Sequence, residues 1–167
     1  YAMPNWSGSQ TVVGSGLNTT DLATCSSPPT ITIQKEVVGG RVNATDAFNL
    51  TLAQSGTTLG TAIATSPAVG VQDQRIGPLP TVRNVQLTFA ETVSGTGSSL
   101  SSYASAYQCT LTYTDGTVEV LDQVNGASGS ITIPSDGEAV VCTIRNSPLR
   151  AQVNITKQVV DSLPEPL

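Results

Sequence analysis

The sequence predicts an all-β sandwich of about seven strands, and three observations carry that prediction. Runs in which apolar and polar residues alternate recur at short intervals, as strands with one buried face do. Between them lie Gly-Gly, Gly-Pro, Asp-Gly and Asn-Gly pairs, which turn a chain sharply. Composition agrees: 15 glycines, 10 prolines, abundant Ser and Thr and only 11% charged residues leave little material for amphipathic helices.

The first strand is expected over 31–38 (ITIQKEVV), with Ile31, Ile33 and Val37 on one face and Thr32, Gln34 and Glu36 on the other. Gly39-Gly40 then turns the chain. Residues 48–52 (FNLTL) alternate cleanly up to the break at Gly56, and 58–65 offers a further strand. The stretch 69–76 is ambiguous and is expected to stop at Gly77-Pro78 and Pro80. A strand over 82–91 follows, then a Gly/Ser-rich loop at 94–102, then 107–113, with room for one irregular turn in the loop at 94–106. Asp115-Gly116 marks a tight turn before 117–121. Asn125-Gly126 and Ser135-Asp136-Gly137 bracket 130–133, and 139–146 closes the domain. The phases place Phe48, Leu50, Leu52, Leu87, Phe89, Leu111 and Ile144 in the core.

Polar residues break the apolar phase in separate strands. Lys35 falls on the face of Ile31, Ile33 and Val37; Glu91 ends the phase of Leu87 and Phe89; Asn146 ends that of Cys142 and Ile144. A buried lone ammonium is costly, so Lys35 must be paired, neutralised or consumed. An amine, a carboxylic acid and a carboxamide together suit a spontaneous Lys–Asn isopeptide bond. Desolvation lowers the lysine pKa and frees the nucleophile, while Asn146 supplies an electrophilic carbonyl and loses ammonia. Glu91, held protonated by the same apolar surroundings, is expected to hydrogen-bond the Asn146 carbonyl and shuttle protons. Taken singly, each residue also has an ordinary reading. Lys35 snorkels from an edge, Glu91 ends a strand, and Asn146 opens the Ser147-Pro148 turn.

The layout over about 30–148 resembles the Cna protein B-type (SpaA-like, prealbumin-like) domains of Gram-positive surface proteins and pilins, especially the cysteine-containing tandem versions of actinobacteria. The matching residues are Lys35 in ITIQKEVVGGRV, Glu91-Thr92 at a later strand end, and Asn146 in VVCTIRNSP. The resemblance implies an Ig-like or prealbumin-like sandwich. It assigns Lys35 and Asn146 as the crosslinking pair and Glu91 as the acid that catalyses their single reaction, so no enzyme results. One departure stands out: the family's acid is usually followed by a Pro-Gly-Tyr-like turn, whereas Glu91 runs into Thr92-Val93-Ser94-Gly95. Cys109 and Cys142 both lie in the inward phase, as two small buried hydrophobes or as a disulfide. The exported location of the resembling domains favours the disulfide, worth roughly 4 kcal/mol on the chain-entropy model.

A net charge of -5 argues against nucleic acid and anionic membrane surfaces as partners. Histidine is absent, which removes His-based nucleophile systems and the commonest metal ligand. Asp73, Asp115, Asp122 and Asp136 lack calcium-loop spacing. No cofactor or metal is therefore expected. Asn5, Asn18, Asn43, Asn49 and Asn154 begin Asn-x-Ser/Thr triplets, which matter only in a eukaryotic source. No run is apolar enough to span a membrane.

The ends echo the middle. The run at 153–160 (VNITKQVV) matches 31–38, with Lys157 in the place of Lys35. Residues 7–13 and 22–25 resemble 128–134 and 140–142, with Cys25 in the place of Cys142. The expected organisation is thus 1–29 as the tail of a preceding module or linker, 30–148 as the sandwich, and 149–167 as the opening strand of a following module or linker. The partner of Cys25 then lies in the preceding module. The chain is expected to be a piece of an extracellular, cell-surface or cell-wall protein in which this domain is a stalk repeat joined to neighbouring modules. The alternatives are a module binding a host or matrix ligand and a spacer of a secreted enzyme.

Overall fold

The computed structural model describes residues 27–97 and 99–149. Among these described residues ten strands follow in order: β1 (Thr30–Val37), β2 (Ala47–Gln54), β3 (Thr57–Ala64), β4 (Gly70–Pro80), β5 (Gln86–Ser94), β6 (Tyr103–Tyr113), β7 (Val118–Val120), β8 (Val124–Asn125), β9 (Ser128–Thr132) and β10 (Gly137–Pro148). One sheet has the order β4-β1-β10-β6-β7, with β8 also on β6; the other runs β3-β2-β5-β9. The two sheets make the expected sandwich. The count exceeds seven through short strands: β7 and β9 fall at the expected runs 117–121 and 130–133, while the two-residue β8 matches no expected run.

Alternation explains the core. All seven residues expected there are buried, none more than 4% exposed. They join Ile31, Ile33, Val140 and Cys142 between the sheets, except Phe48, which packs with Val37, Ala64 and Tyr103 in a second cluster. The β2–β3 hairpin turns on Ser55 and Gly56, both at positive φ, the geometry a two-residue hairpin needs. A side chain at Gly129 would meet the Tyr107 ring at 2.5 Å, so glycine there lets β9 close over the Phe89–Tyr107 edge-to-face pair.

Several strand boundaries differ from expectation, among them the start of β5 at Gln86 instead of 82. β4 continues through Gly77-Pro78 to Pro80, because it is an edge strand in which a missing N–H costs no ladder bond on the open side. A single 3-10 turn at Leu100–Ser102 ends the Gly/Ser loop, and β6 starts at Tyr103 instead of 107. β10 extends two residues beyond 139–146 at each end.

The first and last strands lie side by side and parallel, with Thr30 opposite Ala139 and Val37 opposite Asn146. The other pairings are antiparallel. The chain therefore enters at one end of the sandwich and leaves at the other. On the far side of β10, Cys142 sits directly opposite Cys109 of β6, and the two form a disulfide in the core.

Candidate crosslinking site

The strand phases bring Lys35, Glu91 and Asn146 together near the exit end. In the β1–β10 ladder Lys35 is opposite Ile144 and Asn146 is opposite Val37. The two side chains thus share the inner face, offset by two positions along a parallel pair. Glu91 comes from β5 in the facing sheet, where it pairs with Leu50. Lys35 and Asn146 are fully buried and Glu91 is 4% exposed.

Glu91 bridges the other two. Its Oε2 lies 3.0 Å from Lys35 Nζ, and its Oε1 accepts from Asn146 Nδ2 at 2.5 Å. Lys35 also donates to the Ile144 carbonyl at 3.2 Å. Burial lowers the Lys35 pKa to about 8, against the opposing charge and hydrogen bond of Glu91. Burial likewise raises the Glu91 carboxyl, against the Lys35 charge and the hydrogen bonds from Lys35 and Asn146. Both shifts weaken the charged forms and favour a free amine.

One detail differs from expectation. Asn146 turns its nitrogen, not its carbonyl, toward Glu91, and Oδ1 is buried without a hydrogen-bond partner among the described residues. An ionised carboxylate can only accept, so it takes the amide N–H. The carbonyl-facing arrangement requires the proton on Glu91.

Phe48 forms an aromatic wall, with Lys35 Nζ 4.5 Å from its ring centroid and Tyr103 packed edge-on at 5.3 Å. Beside it lies a polar cluster that the sequence reading missed. Arg41, in the β1–β2 loop, has its guanidinium 4.9 Å from the same centroid. It donates to the carbonyls of Asp46, Ala64 and Ser66 and to Gln72 Oε1. Buried Tyr103 donates to Asp46 Oδ2 and accepts from the Val42 N–H at 2.7 Å. Burial and the bond to Asp46 push its hydroxyl up to about 12. A signal for two of these residues was present. Asp46 shares the parity of Phe48 and Leu50, and Tyr103 that of Cys109 and Leu111. Starting the strands at 48 and 107 hid both. Arg41 sits in a loop, where no phase exists to mark it.

Cys25, Lys157 and both terminal echoes lie outside the described residues. Among the described residues no group of His, Cys, Asp or Glu is placed to hold a metal ion. No helix there is long and apolar enough to cross a membrane.

A two-sheet sandwich whose first and last strands run parallel around a buried Lys–Glu–Asn cluster defines the structural class. Residues 30–148 match the SpaA-type family described as prealbumin-like fold domain, and the chain belongs to that family. No curated protein matches it. A similar solved structure is the crystal structure of the major pilin from Streptococcus pyogenes, at 19% identity and a TM-score of 0.41, covering 72% of this chain and 47% of the pilin chain. The chain thus spans about half the length of that pilin.

Proposed function

We propose that residues 30–148 form a structural module of an extended surface or pilus-like protein, in which an isopeptide bond joins Lys35 to Asn146 and Glu91 catalyses its formation. The observation that carries this reading is one buried carboxyl touching both an amine and a carboxamide. Each oxygen of Glu91 has a task. The neutral Lys35 amine attacks Asn146 Cγ and gives up its extra proton to Oε2. As the tetrahedral intermediate collapses, the carboxyl returns a proton to the departing Nδ2, which leaves as ammonia. One C–N bond forms, one breaks, and Glu91 ends unchanged. Fixed proximity in a dry site supplies much of the acceleration, of order 7–11 kcal/mol for well-oriented neighbours.

The topology suits a load-bearing role. Tension entering at β1 crosses the bond to β10 near the exit and bypasses residues 36–145. Extracellular placement at the cell surface is supported by family membership and by the disulfide. The match of 153–160 to 31–38 supports neighbouring modules of the same polypeptide as partners, with 1–29 and 149–167 belonging to those neighbours or to linkers.

Intact mass tests the reading. Wild type is expected to be lighter than its sequence by one ammonia, beyond the hydrogens lost to disulfides. Proteolysis should recover the Lys35 and Asn146 peptides joined. Lys35→Ala and Glu91→Ala chains should keep the full mass. A wild-type chain of full mass refutes the crosslink, and ammonia loss in Glu91→Ala moves catalysis to another residue.

A further inference from the structure

We infer that Arg41 is a positioning residue for the crosslinking reaction, a fixed cation that holds Lys35 and Glu91 in the reactive state. The inference rests on the crosslinking reading above and adds a residue to it. Lys35 Nζ and Arg41 Cζ both lie over the Phe48 ring, 4.5 and 4.9 Å from its centroid, so they are separated by no more than the sum of those distances. The guanidinium is immobilised. Nε holds the Ser66 carbonyl at 3.1 Å, Nη1 the Asp46 carbonyl at 2.5 Å, and Nη2 Gln72 Oε1 at 3.2 Å. These bonds fasten the β1–β2 loop to the β3–β4 connection beside the site, while Tyr103 holds the same loop through Val42 and Asp46.

The consequence is electrostatic. A buried Lys–Glu pair can exist as an ion pair, as a neutral pair sharing one proton, or as a free amine beside a carboxylate. The third state has a net negative charge, and a nearby cation that never deprotonates stabilises it most. In that state the nucleophile is free and Glu91 is ionised, a form compatible with its acceptance of the Asn146 N–H. The charged groups around Lys35 are Glu91 from β5, Arg41 from the β1–β2 loop and Glu36 beside it in β1. Asp46 and Tyr103 adjoin Arg41. Of the charged groups acting on Lys35, Arg41 is the cation that opposes its protonation.

The test is a pH profile of bond formation. The full chain, purified unreacted in denaturant, is diluted into folding buffers across a pH series, quenched at intervals and weighed. Arg41→Met removes the charge and keeps an apolar stem for Phe48. Its rate midpoint is expected to move up by about one pH unit, making the reaction about tenfold slower below the midpoint. Arg41→Lys retains a charge there and should restore most of the wild-type profile. Should Arg41→Met fail to fold, Arg41→Gln, which keeps amide donors for the loop carbonyls, gives the same reading. Slower reaction with an unmoved midpoint in the neutral variants means that Arg41 only braces the loop, and overturns the inference. A wild-type chain that loses no ammonia at any pH refutes the crosslink itself, a separate outcome.

Discussion

Two ion pairs use adjacent residues of β1. Lys35 meets Glu91 inside the sandwich at 3.0 Å, and Glu36 meets Arg145 of β10 outside it at 2.9 Å. By distance they are alike. The outer pair keeps solvent, with 21% of the Glu36 side chain and 44% of the Arg145 side chain exposed. Water already stabilises both outer charges, so joining them changes little. The inner pair has no exposed side-chain surface, so desolvation dominates both groups and drives them toward uncharged forms. The same contact is thus a weak brace on one face and, as proposed above, a reaction site on the other. Burial decides which, and one residue of register moves a side chain between the two.

The sharpest way to break this comparison is mechanical. Pulled from its ends, a wild type with the proposed bond should yield no extension from residues 36–145, because that bond would take the load. Lys35→Ala should unfold and release about 250–280 Å, at ~3.3–3.6 Å per residue with the segment inside the disulfide still held. Reducing the Cys109–Cys142 bond, which closes a separation of 33 residues, should then add roughly 110 Å at the same rise. A wild type that extends like Lys35→Ala removes the load path.

A pH series tests the inner face next. Asn146→Ala leaves Lys35 unreacted, with a folded pKa near 8 against an unfolded value near 10.5. Between those values the unfolded chain binds more protons, so stability should rise with pH, by on the order of 1–3 kcal/mol. Below that window the benefit is absent. In crosslinked wild type the Lys35 nitrogen is an amide and does not titrate, so that rise should be missing from its denaturant midpoints. An equal rise in wild type means a free amine. The smallest effect belongs to the outer face. Glu36→Gln should cost less than about 1 kcal/mol in chemical denaturation and leave the ammonia loss intact. A larger cost would show that the outer pair is not solvent-weakened.

Much of this was legible from one chain. A pleated strand sends alternate side chains to opposite faces whatever its neighbours are. The runs holding Lys35, Glu91 and Asn146 therefore declared three polar groups on apolar faces before any partner was known. The same property marked Phe48, Leu87, Phe89 and Ile144 as core. It also put Cys109 and Cys142 inward, although only the β6–β10 ladder set them opposite each other.

Adjacency is another matter. Lys35 and the Ile144 carbonyl it contacts are 109 residues apart, and Glu91 and Asn146 are 55 apart. No local pattern specifies that β1 lies parallel to β10, or that β5 faces them. Those placements come from closing two sheets over a shared core. Nor could alternation foretell which end of the Asn146 amide meets Glu91, since a half-turn of the carboxamide leaves the strand phase unchanged. Arg41 was beyond reach for the same reason. A loop residue has no periodicity, and its place over Phe48 exists only once Ala64, Ser66 and Gln72 are folded back to receive it. Local alternation dictated which groups would be buried, and long-range closure of the sandwich decided which of them would meet.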